Sequence, residues 1–263
     1  MTSPAPARGA PPEVSRALSL LRLAAGFAFV AALSTVGILL ALLLLPSRVL
    51  RIKLGNVLGK LAGAAILRIA GVRTRFRDRG RLKDSFPAIY VMNHASTLDV
   101  FLSIWMCPIG GCGVIKREIT RVPFFGQIYQ LSGHPLIDRG DHGRAVDALG
   151  EVAALMKRHR LGLWILPEGT RSRDGRLRPF KTGFVHLALA TGLPVVPVVV
   201  RGAQRAWPSG TLRVQPATVE VDVLEPIATH GWSAATAREH ADAVHAKFLE
   251  HLGDDQRPLP AGP

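Results

Sequence analysis

Asn93-His94-Ala95-Ser96-Thr97-Leu98-Asp99 puts an imidazole and a carboxylate five residues apart, just after the apolar run 88–92. Inside one helix, positions five apart point about 140° away from each other, because each residue turns the helix by roughly 100°. The two side chains can meet only if His94 lies on the turn before a helix, with Ser96 near the cap and Asp99 in the first turn. The carboxylate then fixes the imidazole tautomer and stabilises the imidazolium formed when the other ring nitrogen takes a proton. The chemistry predicted for this pair is that of a histidine base. No G-x-S-x-G elbow supplies a serine nucleophile, and Cys107 and Cys112 lie in an apolar run without an activating base. The base is therefore expected to act on a hydroxyl carried by the substrate, in a direct transfer without a covalent enzyme intermediate.

A second cluster, Pro167-Glu168-Gly169-Thr170-Arg171-Ser172-Arg173, has the composition of an anion site. Gly169 allows close backbone approach, Thr170 supplies a donor, and Arg171 offers a bidentate fork for a phosphate. Lys116 and Arg139 are expected to complete this pocket, whereas Arg173, Arg176 and Arg178 read as a solvated loop. Nucleotide signatures are absent: Gly55 to Lys60 is one residue short of a phosphate loop and lacks the following Ser or Thr. The two cysteines, at C-x4-C spacing, make neither a disulfide framework nor a zinc site. No cofactor or metal is expected.

Positioning these groups requires alternating strands and helices. Apolar runs predict strands over 88–92, 113–116, 135–137, 163–166, 195–200, 212–214 and 218–224. Helical stripes cover 96–106, 124–131, 144–158, 182–191 and 234–252. That alternation predicts an α/β domain with a mostly parallel sheet flanked by helices. Ligands in such sheets collect beyond the carboxyl ends of the strands. His94, Lys116, Asp138-Arg139 and Glu168 each follow a predicted strand, so they are expected to converge there.

The amino-terminal part differs in kind. Residues 23–46 carry no charge, and as a helix they would extend about 36 Å, enough for a hydrocarbon core of roughly 30 Å. Basic residues follow where a signal peptide would show a cleavage site. Residues 48–83 hold eleven basic side chains against Asp78 alone, while 84–263 hold 19 basic and 17 acidic ones. The net charge of +14 thus belongs to one patch beside the apolar run, and a nucleic-acid protein would carry it on its binding fold. A membrane anchor is expected, with the following domain on the cytoplasmic face. The run either crosses the bilayer or re-enters it, with 54–69 as a second, interfacial helix of a hairpin. The expected organisation is a disordered tail over 1–12, anchoring helices and basic patch over 13–83, a catalytic domain over 84–253 and a tail over 254–263.

Four blocks in order resemble the 1-acyl-sn-glycerol-3-phosphate acyltransferase family of membrane glycerolipid acyltransferases. The histidine block is similar to the family's N-H-x-S-x-x-D, and Gly133-His134-Pro135-Leu136-Ile137-Asp138-Arg139 to G-x-x-F-I-D-R. Leu166-Pro167-Glu168-Gly169-Thr170-Arg171-Ser172 resembles F-P-E-G-T-R-S, and the run from Leu193 to Val198 resembles the V-P-V block. The resemblance spans roughly 85–225, and Leu136 and Leu166 depart from it where Phe is usual. It implies that His94 is the general base and Asp99 its partner, with Glu168 and Gly169 in the acceptor site. It also implies Lys116, Arg139 and Arg171 as phosphate contacts. The implied substrates are a lysophosphatidate and an acyl-CoA or acyl carrier protein, with membrane lipids as partners and no nucleic acid. Two other readings remain: the same fold acting on another lipid acceptor, such as a lyso-ornithine lipid or lipid-linked sugar, and a non-catalytic protein that binds anionic lipid.

Overall fold

Short runs that are apolar at every position can be buried on both faces only inside a sheet covered on both sides. The computed structural model describes residues 14–113, 115–116, 120–137 and 142–259, and it contains such a sheet. Two long helices, α1 (Arg16–Leu43) and α2 (Arg48–Ile69), precede strand β1 (Val72–Arg77) and a single helical turn, α3 (Arg81–Asp84). Strand β2 (Ile89–Met92) and helix α4 (Asp99–Met106) flank the histidine turn, and the short strands β3 (Gly111–Gly113) and β4 (Ile115–Lys116) follow. Next come α5 (Phe125–Leu131), β5 (Leu136–Ile137), α6 (His142–His159) and β6 (Gly162–Ile165). The remainder is α7 (Gly183–Thr191), β7 (Val195–Arg201), the turn α8 (Ala203–Ala206), β8 (Ala217–Val223) and α9 (Ala237–His251).

Six strands form one sheet in the order β1-β8-β7-β2-β6-β3. Strands β7, β2, β6 and β3 are parallel neighbours, whereas β8 runs antiparallel to β7 and parallel to β1. Ile89 in β2 lies between Leu163 and Val195, so the histidine strand is central. The alternation of a strand then divides the core. Ile89, Val91, Leu163 and Val195 pack toward α6, α7 and α9. Tyr90, Met92, Trp164 and Val196 pack toward α2 and α4. The fold is the expected α/β architecture, a mostly parallel sheet with helices on both faces.

Several details differ from the sequence expectation. Residues 212–214 form no strand. The run 113–116 divides: Gly113 pairs with Trp164 in the main sheet, but β4 pairs with β5 in a separate two-stranded sheet. Lys116 is therefore the last residue of a strand of the small sheet and not of the large one. The edge strand β1 was missed because its half-buried Val72, Thr74 and Phe76 alternate with exposed Arg73, Arg75 and Arg77, and the charge hid the period of two. The main sheet thus begins at Val72, ahead of the boundary placed at 84. At the other end, Gln256 is 2% exposed and its carbonyl accepts from Leu177 N, so 254–259 is fastened to the domain. The tail expected over 1–12 lies outside the described residues.

The two amino-terminal helices also differ from each other. α1 buries Ser19, Gly26, Ser34, Gly37 and Ala41 while Leu21, Phe27, Leu39 and Leu43 are exposed. Small residues inside and large apolar ones outside is the arrangement of a helix packed within lipid. α2 instead forms a layer of the domain, and its Gly63 lies against α4 so closely that a Cβ would come within 2.5 Å of the Phe101 carbonyl oxygen. Ile52, Ile66 and Leu67 are buried in the protein, while Leu50, Val57 and Leu61 of the same helix are exposed.

Candidate active site

The histidine turn begins where β2 runs out of backbone partners. Asn93 extends the ladder with its side chain: Nδ2 donates to the Val200 carbonyl at 2.9 Å and Oδ1 accepts from Val200 N at 2.8 Å. Pairing by a side chain frees the main chain to turn, and His94, Ala95 and Ser96 form that turn. Asp99 is the first residue of α4, where a carboxylate also complements the helix dipole. Its Oδ2 accepts from Ala95 N and Ser96 N, both at 2.7 Å, and lies 3.1 Å from His94 Nδ1. Ser96 Oγ accepts from Leu98 N at 3.0 Å. The pair predicted from the spacing therefore forms, with His94 8% and Asp99 1% exposed. A carboxylate can only accept, so Nδ1 carries the hydrogen and Nε2 is left as the basic nitrogen.

The 166–173 loop leaves β6, the parallel neighbour of β2, and docks onto this turn. Glu168 Oε1 accepts from His94 N at 2.6 Å, and Oε2 accepts from Arg178 N at 3.2 Å. The His94 carbonyl accepts from Ser172 N at 3.0 Å, and Arg171 Nη1 donates to Thr97 Oγ1 at 2.9 Å. Burial pushes the Glu168 carboxyl up to about 8, against the pull of the two amide donors. Glu168 is 3% exposed, and with both oxygens on backbone amides it braces the histidine turn. Gly169 has φ 74°, and a Cβ there would meet Lys181 Cε at 2.9 Å, so the loop needs glycine.

Both clusters open on one cavity of about 530 Å³, a size typical of small-molecule sites. Its polar end is made by His94, Gly169, Thr170, Arg171, Arg173 and the turn at Ser209 and Gly210. From there it extends between α1, α2, α4 and α5, walled by Leu58, Ile104, Phe125, Ile128, Trp164 and Leu166. Arg173, read in the sequence as part of a solvated loop, lines the polar end; its spacing of two from Arg171 was the available signal. Arg176 is held by the carbonyls of Asp254 and Arg257 and is structural. His134 also lines the cavity, and its Nδ1 accepts from Gly113 N at 3.2 Å. Burial holds that imidazole down to about 4, so it is neutral in the cell's pH range. The backbone of Lys116 ends β4, and Arg139 lies outside the described residues.

A base at one end of an apolar cavity, beside two guanidinium groups, suits the acylation of a hydroxyl on an anionic amphiphile. Comparison with known sequences agrees. The sequence profile of the Acyltransferase family matches residues 73–201. Over 242 residues the chain is 40% identical to the 1-acyl-sn-glycerol-3-phosphate acyltransferase of Cocos nucifera, which covers 92% of this chain and 78% of the relative. The chain belongs to the 1-acyl-sn-glycerol-3-phosphate acyltransferase family. The Escherichia coli enzyme of that name is 33% identical over 187 residues, covering 71% of this chain and 74% of its own. In fold, the chain is similar to the crystal structure of the 1-acyl-sn-glycerophosphate acyltransferase PlsC from Thermotoga maritima. The TM-score is 0.73 at 22% identity, over 89% of this chain and 94% of that one. Membership in this acyltransferase family accounts for the order of the motif blocks. Within the family frame, Leu166 stands where Phe is usual and forms part of the apolar wall, while Leu136 lies in β5.

Proposed function

We propose that the protein transfers an acyl chain from acyl-CoA or acyl carrier protein to the sn-2 hydroxyl of 1-acyl-sn-glycerol 3-phosphate, giving phosphatidate for phospholipid synthesis. The observation that carries this reading is the His94–Asp99 pair in the lining of an apolar cavity, with Nδ1 turned to the carboxylate. His94 Nε2 takes the proton of the hydroxyl, and the hydroxyl oxygen attacks the thioester carbon. The tetrahedral oxyanion collapses, the C–S bond breaks, and the departing thiolate takes the proton from His94. Asp99 holds the ring and stabilises the imidazolium between the two transfers. A thioester is already activated, so neither cofactor nor metal is invoked.

The names of the relatives support lysophosphatidate as acceptor. So do Arg171 and Arg173, placed to meet a phosphate while the glycerol hydroxyl reaches His94; Lys116 and Arg139 are proposed as further phosphate contacts. The apolar exterior of α1 supports membrane anchoring, and the basic residues of 48–83 that follow it support a catalytic domain on the cytoplasmic face. The test is thiol release from acyl-CoA by membranes containing the protein, with lysophosphatidate or lyso-ornithine lipid as acceptor. Release with lysophosphatidate is expected, and it should fall by about 10²–10⁴-fold in His94→Ala. Release with lyso-ornithine lipid alone would overturn the acceptor, and undiminished turnover in the variant would overturn the base.

A further inference from the structure

Residues 207–214 tie the histidine turn to the first helix. The Trp207 carbonyl accepts from Ser96 Oγ at 2.6 Å and from Thr97 N at 3.3 Å. The Trp207 ring stacks on Phe101 of α4, with centroids 6.1 Å apart. At the other end, the Val214 carbonyl accepts from Ser19 Oγ at 3.2 Å and Arg22 Nη1 at 3.1 Å, both from α1, and Val214 N donates to Ser19 Oγ. Between these ends Pro208 to Thr211 form a β-turn, closed by Thr211 N donating to the Pro208 carbonyl, with Gly210 at φ 75°. Ser209 and Gly210 of that turn line the cavity beside His94, Arg171 and Arg173.

Leu212, just past the turn, is 64% exposed. Only Arg213 separates it from Val214, so it lies within about 7 Å of the residue that is bonded to α1. Leu18, Leu20 and Leu21 on the same end of α1 are exposed as well. Of the arginines near them, Arg22 is held by the Val214 carbonyl and Arg205 pairs with Asp255 at 3.1 Å, so the apolar surface and not charge marks this face. An exposed leucine, continuous with an apolar helix face, fits the surface of a lipid layer.

We propose that residues 207–214 form a lip that sits in the surface of the bilayer and admits the acceptor lipid from it to the mouth beside His94. The identity of what enters rests on the acyl-transfer reading; the bilayer contact does not. The test uses the full chain in vesicles of phosphatidylcholine and phosphatidylglycerol, with a nitrobenzoxadiazole label on Leu212→Cys or, as control, on Ala235→Cys. Cys107 and Cys112 are buried, so the label goes to the introduced thiol. A lipid carrying a shallow nitroxide should quench the label at 212 severalfold more than at 235; equal, weak quenching overturns the lip. In a second arm, Leu212→Asp should raise KM for vesicle-borne lysophosphatidate about ten-fold. Turnover of a short-chain, water-soluble lysophosphatidate should be unchanged. Equal losses on both acceptors would make the segment internal scaffolding and overturn the proposal. If the unmodified protein acylates neither acceptor, the acyl-transfer reading fails, and quenching still decides the bilayer contact.

Discussion

At the scale of residues, the site separates groups that face the cavity from groups that hold them. Arg171 and Arg173 both face it, but only Arg171 is also tied to Thr97. Arg173→Ala should therefore raise KM for the phosphorylated acceptor by about ten-fold and leave kcat and the donor KM unaltered, as loss of one charge-assisted contact predicts. Arg171→Ala should raise the same constant and also lower kcat, because Thr97 on the histidine turn loses its partner; initial rates over both substrates distinguish the two. Glu168 gives a pH signature. Its carboxyl titrates near 4.5 when unfolded and at about 8 when buried, so between those values the folded chain binds the extra proton and stability falls as pH rises. His134 acts in the opposite sense, adding stability as pH rises from about 4 to 6.5, so above 6.5 the fall due to Glu168 is no longer offset by it. The thermal midpoint should decline from pH 6.5 to 8. In Glu168→Gln that decline should be reduced, while the midpoint at pH 6.5 is lower because an amide nitrogen cannot accept from Arg178 N.

At the scale of elements, α2 and α4 must approach closely to shape the cavity. A Cβ at Gly63 would meet backbone at 2.5 Å, whereas one at Gly59 would meet Ile104 Cβ at 3.2 Å. Gly63→Ala should thus cost about 1–3 kcal/mol by overpacking and Gly59→Ala less, read from thermal unfolding. Leu166, at the end of β6, stands in the apolar wall. Leu166→Phe narrows that wall, and the expected result is a shift of acyl-donor preference toward shorter chains, measured by competition between acyl-CoA esters. The motif blocks were legible because each needs a particular residue type: a serine that accepts from the backbone of its own turn, a glycine with positive φ, an asparagine that mimics a ladder rung. Strand β1 was not legible, since its pairing with β8 is set by residues about 145 positions away in the chain.

At the scale of the whole molecule, charge and apolar surface are segregated. The basic residues of 48–83 and the outward-facing leucines of α1 belong to neighbouring segments, while the rest of the chain is near neutrality. If apolar burial holds the chain in membranes, washing with 1 M salt should leave it in the membrane pellet, because the Debye length then falls to about 3 Å and only charge contacts are screened. Replacing Leu39, Leu42 and Leu43 on α1 by Glu should release it; release of the unaltered chain by salt alone would assign the attachment to the basic patch.

The sequence by itself determined the alternation of strands and helices, the dyad and its turn, the glycine of the Glu168 loop and the apolar first helix. These follow from local rules: periodicity, capping and the conformational freedom of single residues. Tertiary structure alone decided that Glu168 braces the histidine backbone, that Arg173 faces the cavity, that α2 is a wall of that cavity and that Trp207 to Val214 joins the site to α1. Each of these depends on which distant segments meet, and such a meeting leaves no mark on the residues beside it in the sequence.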